Sequence, residues 1–262
     1  MAKLSFKSAS GTSFHDTVIT CSYNQLVQAI GVPQSSDNTG EDKVNFDWTC
    51  ELNDGRVFTI YDWKEYRPIS KEEIIELPLG QFEGPIYLID RPEQVEDAVD
   101  FLENQPLIGF DTETKPSFRK GEFNHVSLLQ LSTANQAFVF RLNKIGFPPP
   151  LRSLLEKENV LKVGAAVHDD LKALKKLSDS FYPQSFFDLN DELKKVGFQN
   201  VGVRNLCGMV LKIRISKAEQ VSNWEADKLT EKQLRYAATD AWACLEIFQL
   251  LKEEGYLNDL LG

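Results

Sequence analysis

The sequence contains few of the side chains that bind transition metals. Its 262 residues include three histidines and four cysteines, and no pair of cysteines has C-x-x-C spacing. This scarcity gives little support to a zinc site built from imidazole or thiolate ligands, or to a redox motif. Four unpatterned cysteines are typical of proteins in a reducing compartment rather than of disulfide-stabilised secreted domains. We therefore expect a cytoplasmic protein.

Long apolar segments and an excess of positive charge are also absent. No apolar run approaches the length of a membrane span, and the N-terminal residues lack the apolar core of a signal peptide. We therefore expect no membrane partner. The net charge of −10 argues against a protein that coats long nucleic acid, because such binding depends on neutralising many phosphates. With 42% hydrophobic and 26% charged residues, the composition is that of an ordinary globular protein.

The strongest sign of a functional site lies near the C-terminus, where Tyr236 and Asp240 are four residues apart. The apolar positions around them recur at helical spacing: Leu234, Ala237, Ala238, Ala241 and Leu245. This spacing predicts a helix with one buried stripe and places the phenol and the carboxylate on the same face. A carboxylate on such a face is unfavourable unless its charge is compensated, and a bound metal ion is a common compensation.

Two further acids follow a short apolar run. The sequence from Pro106 to Phe110 predicts a buried strand, and Asp111 and Glu113 come directly after it. Because strand side chains alternate, both carboxylates leave the same face while Thr112 points away. Adjacent acids repel each other, and a hard cation would relieve the repulsion. The alternative is a solvated strand end.

A third acidic segment follows the alternating residues 161–167, which predict another strand. Asp169 or Asp170 then comes before a helix that carries Leu171, Leu174 and Leu177. Taken alone, this segment favours a helix N-cap for one of the two acids. Taken together with the other acidic segments, it also offers a further metal ligand.

The order of these motifs resembles the tyrosine-bearing branch of the DEDD superfamily of 3′–5′ exonucleases. The motifs are D-x-E at Asp111, G-x(5)-D-x-x-x-L from Gly164 and Y-x-x-x-D at Tyr236. Residues 127–132, 223–225, 229–233 and 236–245 add to the likeness, which covers about residues 82–258 and is closest to ribonuclease D and Werner-type exonuclease domains. The spacing from Gly164 selects Asp170, with Asp169 as the remaining alternative.

The resemblance implies a metal-dependent 3′–5′ exonuclease that releases nucleoside monophosphates from single-stranded or 3′-ended DNA or RNA. Two ions, Mg²⁺ or Mn²⁺, would be held by carboxylates. By resemblance, Asp111 would bridge both ions, Glu113 and Asp240 would hold the ion that carries the attacking water, and Asp170 would serve the other. Tyr236 would orient that water, because its usual pKa of roughly 10 makes it a poor base. The alternative is a catalytically silent nucleic-acid or protein-binding module of the same fold, against which the complete set of acids argues.

The residues that would contact substrate are less sharply defined by the sequence. The candidates are Thr112, Phe118, Arg119, Lys120 and His168. Phe118 and its basic neighbours would stack on a terminal base and contact phosphate, or else form a lid with solvated charges. Gln130 is either a polar residue of the core or a contact to the metal-binding residues. Basic residues available elsewhere are Lys162, Lys172, Lys212, Arg214 and Lys217.

The predicted elements define an α/β fold. They are a strand at 84–90, a helix at 93–104, the Asp111 strand, strands at 127–131 and 137–141, a helix at 151–156, the Val163 strand, the Asp170 helix, a strand at 186–188 and several helices to the C-terminus. The resemblance implies an RNase H-like mixed sheet flanked by helices for residues 84–262, the exonuclease domain. It also implies that Asp188 is a structural acid that caps the chain beyond its strand.

Residues 1–68 predict a separate small α+β module of unknown function. Ser22 is a candidate N-cap for a helix that ends at Gly31, and Asn53-Asp-Gly-Arg56 is a strong hairpin signal. The core of this module would contain Trp48, Phe58, Tyr61 and Trp63. The module either binds a protein partner or substrate, or is a packing extension, and residues 69–83 form the linker.

Overall fold

The structure, a computed structural model, describes residues 3–4, 19, 21, 23–36, 44–63, 68–117, 121 and 123–261. These residues fall into two compact units. The N-terminal unit draws on residues 1–68, 194–200 and 250–262, and the sheet unit on residues 69–193 and 201–249. The predicted residues Ser22, Phe118, Arg119 and Lys120 lie outside the described ranges.

The N-terminal unit contains one helix and a small antiparallel sheet near its start. The elements are β1 (Lys3–Leu4), α1 (Tyr23–Ile30), β2 (Ser35–Ser36), β3 (Val44–Glu51) and β4 (Val57–Trp63). Strand β3 pairs with the other three, and its hairpin with β4 confirms the predicted turn, in which Gly55 has a φ of +85°. Trp48 is buried, and its indole N–H donates to the Gly31 carbonyl at 2.8 Å. Phe58 and Tyr61 are half-buried, and the side chain of Trp63 is not described.

The chain then continues through a longer series of elements. They are α2 (Lys71–Glu76), β5 (Ile86–Ile89), a 3-10 turn (Pro92–Gln94), α3 (Val95–Leu102), β6 (Leu107–Thr114), β7 (Val126–Ser132), β8 (Ala137–Phe140), α4 (Leu142–Ile145), α5 (Pro149–Glu156), β9 (Leu161–Gly164), α6 (Val167–Lys175), β10 (Phe186–Asp188), α7 (Leu189–Lys195), α8 (Val203–Leu206), a π-helical turn (Cys207–Leu211), α9 (Glu231–Glu253) and α10 (Asn258–Leu261). Within the described ranges, no helix combines the length and the apolar content needed to cross a membrane.

The sheet unit is built around a six-stranded mixed sheet with the order β10-β9-β6-β7-β8-β5. The pairs β10–β9, β9–β6 and β8–β5 are parallel, whereas β6–β7 and β7–β8 are antiparallel. Strand β5 lies at one edge, as its sequence predicted. The predicted mixed α/β class is therefore confirmed.

The two faces of the sheet carry different helices because side chains alternate along each strand. One face of β6 presents Ile108 and Phe110 to a core that includes Leu102 of α3, Leu154 of α5 and Leu174 of α6. The opposite face is covered by α9, whose alanines pack against β7 and β8. Residues 109, 111 and 113 belong to this second face.

A helix lies within the segment predicted to be a linker. Helix α2 begins after Ser70, whose hydroxyl accepts a hydrogen bond from the Glu73 amide at 3.1 Å. The Glu73 carboxylate in turn accepts one from the Ser70 amide at 2.9 Å, which completes a capping box. Ser70 followed three residues later by Glu73 is the sequence signal of this cap.

The start of α6 corrects the sequence prediction. Strand β9 ends at Gly164 and α6 begins at Val167, so neither Asp169 nor Asp170 is the N-cap. Asp188, at the end of the neighbouring strand β10, caps the helix instead, because its carboxylate accepts from the amides of Ala166 and Val167, both at 2.9 Å. The same carboxylate accepts from the Asn190 amide at 2.8 Å, which is the capping role that the family resemblance implied.

Helix α9 lies unusually close to strand β6. A Cβ atom at Gly109 would be 2.0 Å from the Ala241 carbonyl oxygen and 2.5 Å from the Ser132 Oγ atom. Ala237, Ala238 and Ala241 are fully buried, so the helix backbone approaches the sheet with little side-chain volume between them. Glycine within a strand often marks such a close approach.

We predict that Gly109→Ala lowers the free energy of unfolding by about 1–3 kcal/mol or more, because the helix or the strand must move to admit the methyl group. The measurement is urea denaturation followed by circular dichroism. Gly202→Ala is the matched control, since a Cβ there meets nothing within 4 Å and the backbone φ is −61°. Equal stability of the two variants would contradict the prediction.

Candidate active site

Three of the predicted acids converge where α9 crosses β6. Asp111 and Glu113 project from β6, and Asp240 projects from α9. One carboxylate oxygen from each lies within 4.8 Å of the other two. The close approach at Gly109 explains this geometry, because Ala241 is next to Asp240 and Gly109 is two residues before Asp111.

The three carboxyl groups are electrostatically unfavourable in their ionised form. Burial, followed by the charges of Asp240, Glu113 and Asp170, raises the pKa of Asp111 well above its usual value. Burial and the neighbouring acids raise the pKa of Glu113 to about 8. Burial raises the pKa of Asp240 to about 7, although Tyr236 and the positive charge of Arg204 act in the opposite direction. The cluster therefore favours either protons or a bound cation.

Asp170 lies near this cluster but outside the group of three. Its carboxylate accepts a hydrogen bond from the Thr112 hydroxyl, and its charge raises the pKa of both Asp111 and Glu113. Burial raises the pKa of Asp170 itself to about 6. The side chain of Asp169, by contrast, is 91% exposed and pairs with Lys172 at 3.7 Å. Of the two adjacent acids, Asp170 is the one that interacts with the cluster.

Tyr236 interacts with Asp240 one helical turn away. The interaction of the Tyr236 hydroxyl with the Asp240 carboxylate lowers the pKa of Asp240. Burial, and then the charges of Asp240 and Glu113, raise the pKa of the phenol above its usual value. Tyr236 is therefore protonated at neutral pH and acts as a hydrogen-bond donor.

Trp224 packs beside Tyr236 and interacts with Glu113, and the sequence predicted no role for it. It is fully buried, and its ring centroid lies 5.9 Å from that of Tyr236. Its indole N–H interacts with the Glu113 carboxyl and lowers the pKa of that group. Among the described residues, however, this N–H makes no hydrogen bond of regular geometry. Trp224 therefore shapes the wall of the site on the side of Glu113.

The loop that carries Trp224 is held in place from strand β8. Arg141 is buried directly after β8 and donates from its Nη1 atom to the Asp227 carbonyl at 2.7 Å, and from Nη2 to the Ala226 carbonyl. Lys144 adds a hydrogen bond to the Asp227 carbonyl at 2.9 Å. At the start of α9, Thr230 and Gln233 form a capping box. These contacts fix the loop just before the Tyr236 helix.

The remaining candidate residues have the following surroundings in the structure. Thr112, a candidate substrate contact, donates a hydrogen bond to Asp170. His168 is exposed in the first turn of α6. Lys162 is buried, donates to the Lys157 carbonyl at 2.7 Å, and has a pKa lowered to about 8 by burial. It is therefore unavailable for phosphate binding.

Two of the other basic candidates donate hydrogen bonds to backbone carbonyls of the protein. Lys212 donates to the Met209 carbonyl at 2.6 Å, and Arg214 donates to the Leu77 carbonyl at 3.0 Å. Lys217 is exposed. Arg204 is the basic residue that lowers the pKa of Asp240, and the sequence did not predict this role. The chain offers no local sequence signal for that role, because Arg204 lies far from Asp240 along the chain.

A pocket of about 430 Å³ adjoins Tyr236 and Asp240. It is lined by Leu79, Gln81, Ile215, Ser216, Lys232 and Arg235, among others. Its volume lies within the range of small-molecule sites. The pocket therefore offers both apolar and polar surface directly beside the Tyr236–Asp240 pair.

Comparison with known proteins gives consistent matches to exonucleases. The chain is 28% identical to the exonuclease mut-7 homolog of Aedes aegypti over 196 residues, which are 66% of this chain and 27% of that protein. It is 30% identical to ribonuclease D of Gluconacetobacter diazotrophicus over 174 residues, 66% of this chain and 43% of that protein. The chain thus spans less than half the length of these curated relatives.

The fold is also shared with solved exonuclease domains. The crystal structure of the Aedes aegypti Nibbler EXO domain superposes with a TM-score of 0.60 at 26% identity, covering 67% of this chain and 90% of that domain. This similarity confirms the predicted RNase H-like mixed sheet flanked by helices. Residues 86–255 match the family model described as 3′–5′ exonuclease, in agreement with the resemblance predicted for residues 82–258. The chain belongs to the 3′–5′ exonuclease family.

Proposed function

We propose that the protein is a metal-dependent 3′–5′ exonuclease that hydrolyses phosphodiester bonds at nucleic-acid 3′ ends and releases nucleoside monophosphates. The observation that supports this most directly is the convergence of ligand atoms of Asp111, Glu113 and Asp240 within 4.8 Å of one another, with Tyr236 interacting with Asp240. Asp170 lies close enough to raise the pKa of two of these acids. The arrangement combines a cation site with a neutral hydrogen-bond donor.

The donor set fits hard divalent cations. All of its ligand atoms are carboxylate oxygens, and the group of three contains neither histidine nor cysteine. Oxygen ligands of this kind suit Mg²⁺ or Mn²⁺ rather than zinc. Two such ions, when bound, would activate a water molecule, stabilise the leaving oxygen and neutralise phosphate charge.

The proposed roles of the residues are those that the family resemblance implies. Asp111 would be shared between two ions, and its interaction with the charges of Asp240, Glu113 and Asp170 supports this role. Asp170 would hold one ion from the side of α6, while Glu113 and Asp240 hold the other. Tyr236, kept protonated by its raised pKa, would turn its single O–H from the Asp240 carboxylate to the attacking water, and would orient that water without removing its proton.

The proposed substrate is a single-stranded 3′ end of RNA or DNA. The pocket would accept the terminal nucleotide, because Tyr236 and Asp240, two of the proposed catalytic residues, line it. The net charge of −10 supports contact with few phosphates rather than with a long strand. The relative named ribonuclease D supports RNA as one substrate. The digestion assay described below should therefore include both RNA and DNA strands.

The reducing cytoplasm is the compartment that we propose for this activity. All four cysteines are described, and each is a free thiol. Free thiols support a reducing environment. Fluorescence microscopy of the tagged protein would test this, and accumulation in an oxidising compartment would contradict it.

The first prediction from the proposed function concerns the direction of digestion and its dependence on the acids. With Mg²⁺ or Mn²⁺, the wild type should release the label of 3′-labelled single strands as a mononucleotide and shorten 5′-labelled strands stepwise. Asp111→Asn and Asp240→Asn should each lose at least about a thousandfold in rate, since metal-derived charge stabilisation amounts to several kcal/mol. Gel and chromatographic analysis of the products measures both effects.

The adjacent acids of α6 provide a matched control. Asp170→Asn should reduce the rate strongly, whereas Asp169→Asn should stay near wild type because that side chain is 91% exposed. A protein that binds 3′ ends but cuts none with either metal would be the silent module instead. Full activity of Asp111→Asn would also refute the proposed function.

The second prediction concerns Tyr236. Tyr236→Phe should slow turnover by roughly ten- to a hundredfold, because it removes the donor that orients the water but no metal ligand. The rise in melting temperature on adding Mn²⁺ should remain. Single-turnover kinetics and thermal denaturation measure the two properties, and loss of the metal response would show that Tyr236 supports the ions rather than the water.

The third prediction links pH, metal and stability. The folded-state pKa values of Glu113, Asp240 and Asp170 are raised to about 8, 7 and 6. Their contribution to stability is therefore complete below the unfolded pKa values and is lost as the pH rises through this range. In chelator, the melting temperature should fall between about pH 5.5 and about pH 8.5 more steeply for wild type than for Asp111→Asn.

Added Mn²⁺ or Mg²⁺ should reverse this trend, since divalent ions bind the ionised carboxylates. The rise in melting temperature caused by the metal should therefore be larger at high pH than at low pH. Differential scanning fluorimetry across this range provides the measurement. A metal response that does not change with pH would argue against the carboxylates as its site.

A further inference from the structure

Gln130 is a fully buried polar residue on β7 without a hydrogen-bonding partner among the described residues. Its side chain has 0% exposure, and neither the amide nitrogen nor the amide oxygen makes a hydrogen bond to any residue that the structure describes. Leaving such a buried donor or acceptor unsatisfied lowers the stability of the folded state, because the group has lost its hydrogen bonds to water. An apolar residue of similar shape would avoid this cost, so the amide is poorly explained as a packing residue.

The position of Gln130 relates it to the acidic cluster. In the antiparallel pairing of β6 with β7, Gln130 is the direct cross-strand partner of Asp111. Directly opposed side chains project from the same face, with Cβ atoms about 4.5–5.5 Å apart. The flanking pairs on this face are Glu113 with Leu128 and Gly109 with Ser132. Asp111 is therefore the acid whose carboxylate the Gln130 amide can reach from its strand position.

We propose that Gln130 is a positioning residue, whose amide N–H donates a hydrogen bond to the Asp111 carboxylate when that carboxylate binds a divalent ion. This inference rests on the proposed function, since it concerns the same metal site. The contact orients Asp111 from the neighbouring strand. Gln130 touches neither substrate nor metal in this role.

The physical basis is the difference between a neutral and a charged acceptor. A hydrogen bond from an amide to an ionised carboxylate is roughly twice as strong as one between neutral groups. The bond therefore favours the metal-binding form of Asp111. Residues that hold metal ligands in this way typically change metal affinity or activity by about 10–100-fold when they are removed.

Gln130→Met tests this role because methionine has a similar shape and no amide. In chelator, Gln130→Met should melt at or above the wild-type temperature, since two unsatisfied polar atoms are removed. The Mn²⁺ concentration that gives half of the maximal rise in melting temperature should increase about tenfold or more. The Mn²⁺ concentration for half-maximal 3′-end digestion should increase in parallel, and turnover should recover at saturating Mn²⁺.

Ser132→Ala is the matched control. Ser132 is two residues further along β7, is fully buried, and has a hydroxyl without a partner among the described residues, but it lies opposite Gly109 rather than Asp111. Its removal should leave both Mn²⁺ midpoints at wild-type values. Gln130→Leu provides a second test of the same change if Gln130→Met does not fold.

The outcomes separate this inference from the proposed function. If wild type responds to Mn²⁺ and Gln130→Met has the same midpoints, Gln130 has no positioning role, while the metal site stands. Equal increases of the Mn²⁺ midpoints in Gln130→Met and Ser132→Ala would also overturn the inference. Loss of any polar group from this buried face would then have the same effect. Failure of both Gln130 variants to fold would assign Gln130 to the core. If wild type itself shows neither metal response nor digestion, both proposals fail.

Discussion

The close contact between α9 and β6 at Gly109 is the constraint on which the site depends. Because Gly109 has no side chain, the Ala241 carbonyl can lie where a Cβ atom would otherwise be. Asp240 precedes Ala241, and Asp111 follows Gly109 by two residues, so the contact brings acids from distant parts of the chain together. The alanines of α9 serve the same purpose, since larger side chains would lift the helix from the sheet.

The burial that creates the site also sets its chemistry. Removing carboxyl groups from water raises their pKa, and their mutual repulsion raises it further. The same environment keeps the Tyr236 phenol protonated, which gives one neutral donor among acids that favour a cation. Carboxyl groups more exposed to water would ionise at their usual pKa. A divalent ion that bound them would then relieve less electrostatic repulsion.

The sequence predicted those features that depend on local periodicity. Alternation placed Asp111 and Glu113 on one strand face, and helical spacing placed Tyr236 beside Asp240. The cap of α6 was predicted wrongly because it comes from Asp188, which is 22 positions from Ala166. The support of Trp224 was not foreseen, since Arg141 reaches Ala226 across 85 positions. Such contacts depend on which strands become neighbours, and no local pattern encodes that.

The site is supported by several elements rather than by its acids alone. Arg141 holds the Trp224 loop from β8, Thr112 orients Asp170, and the fold places Gln130 opposite Asp111. In the absence of metal the clustered acids oppose folding, so their presence is explained by function and not by stability. Substitutions of the supporting residues should therefore differ in their effects on stability and metal binding from substitutions of the acids. The former disturb geometry that the fold provides, whereas replacing an acid by its amide relieves repulsion while it removes a ligand.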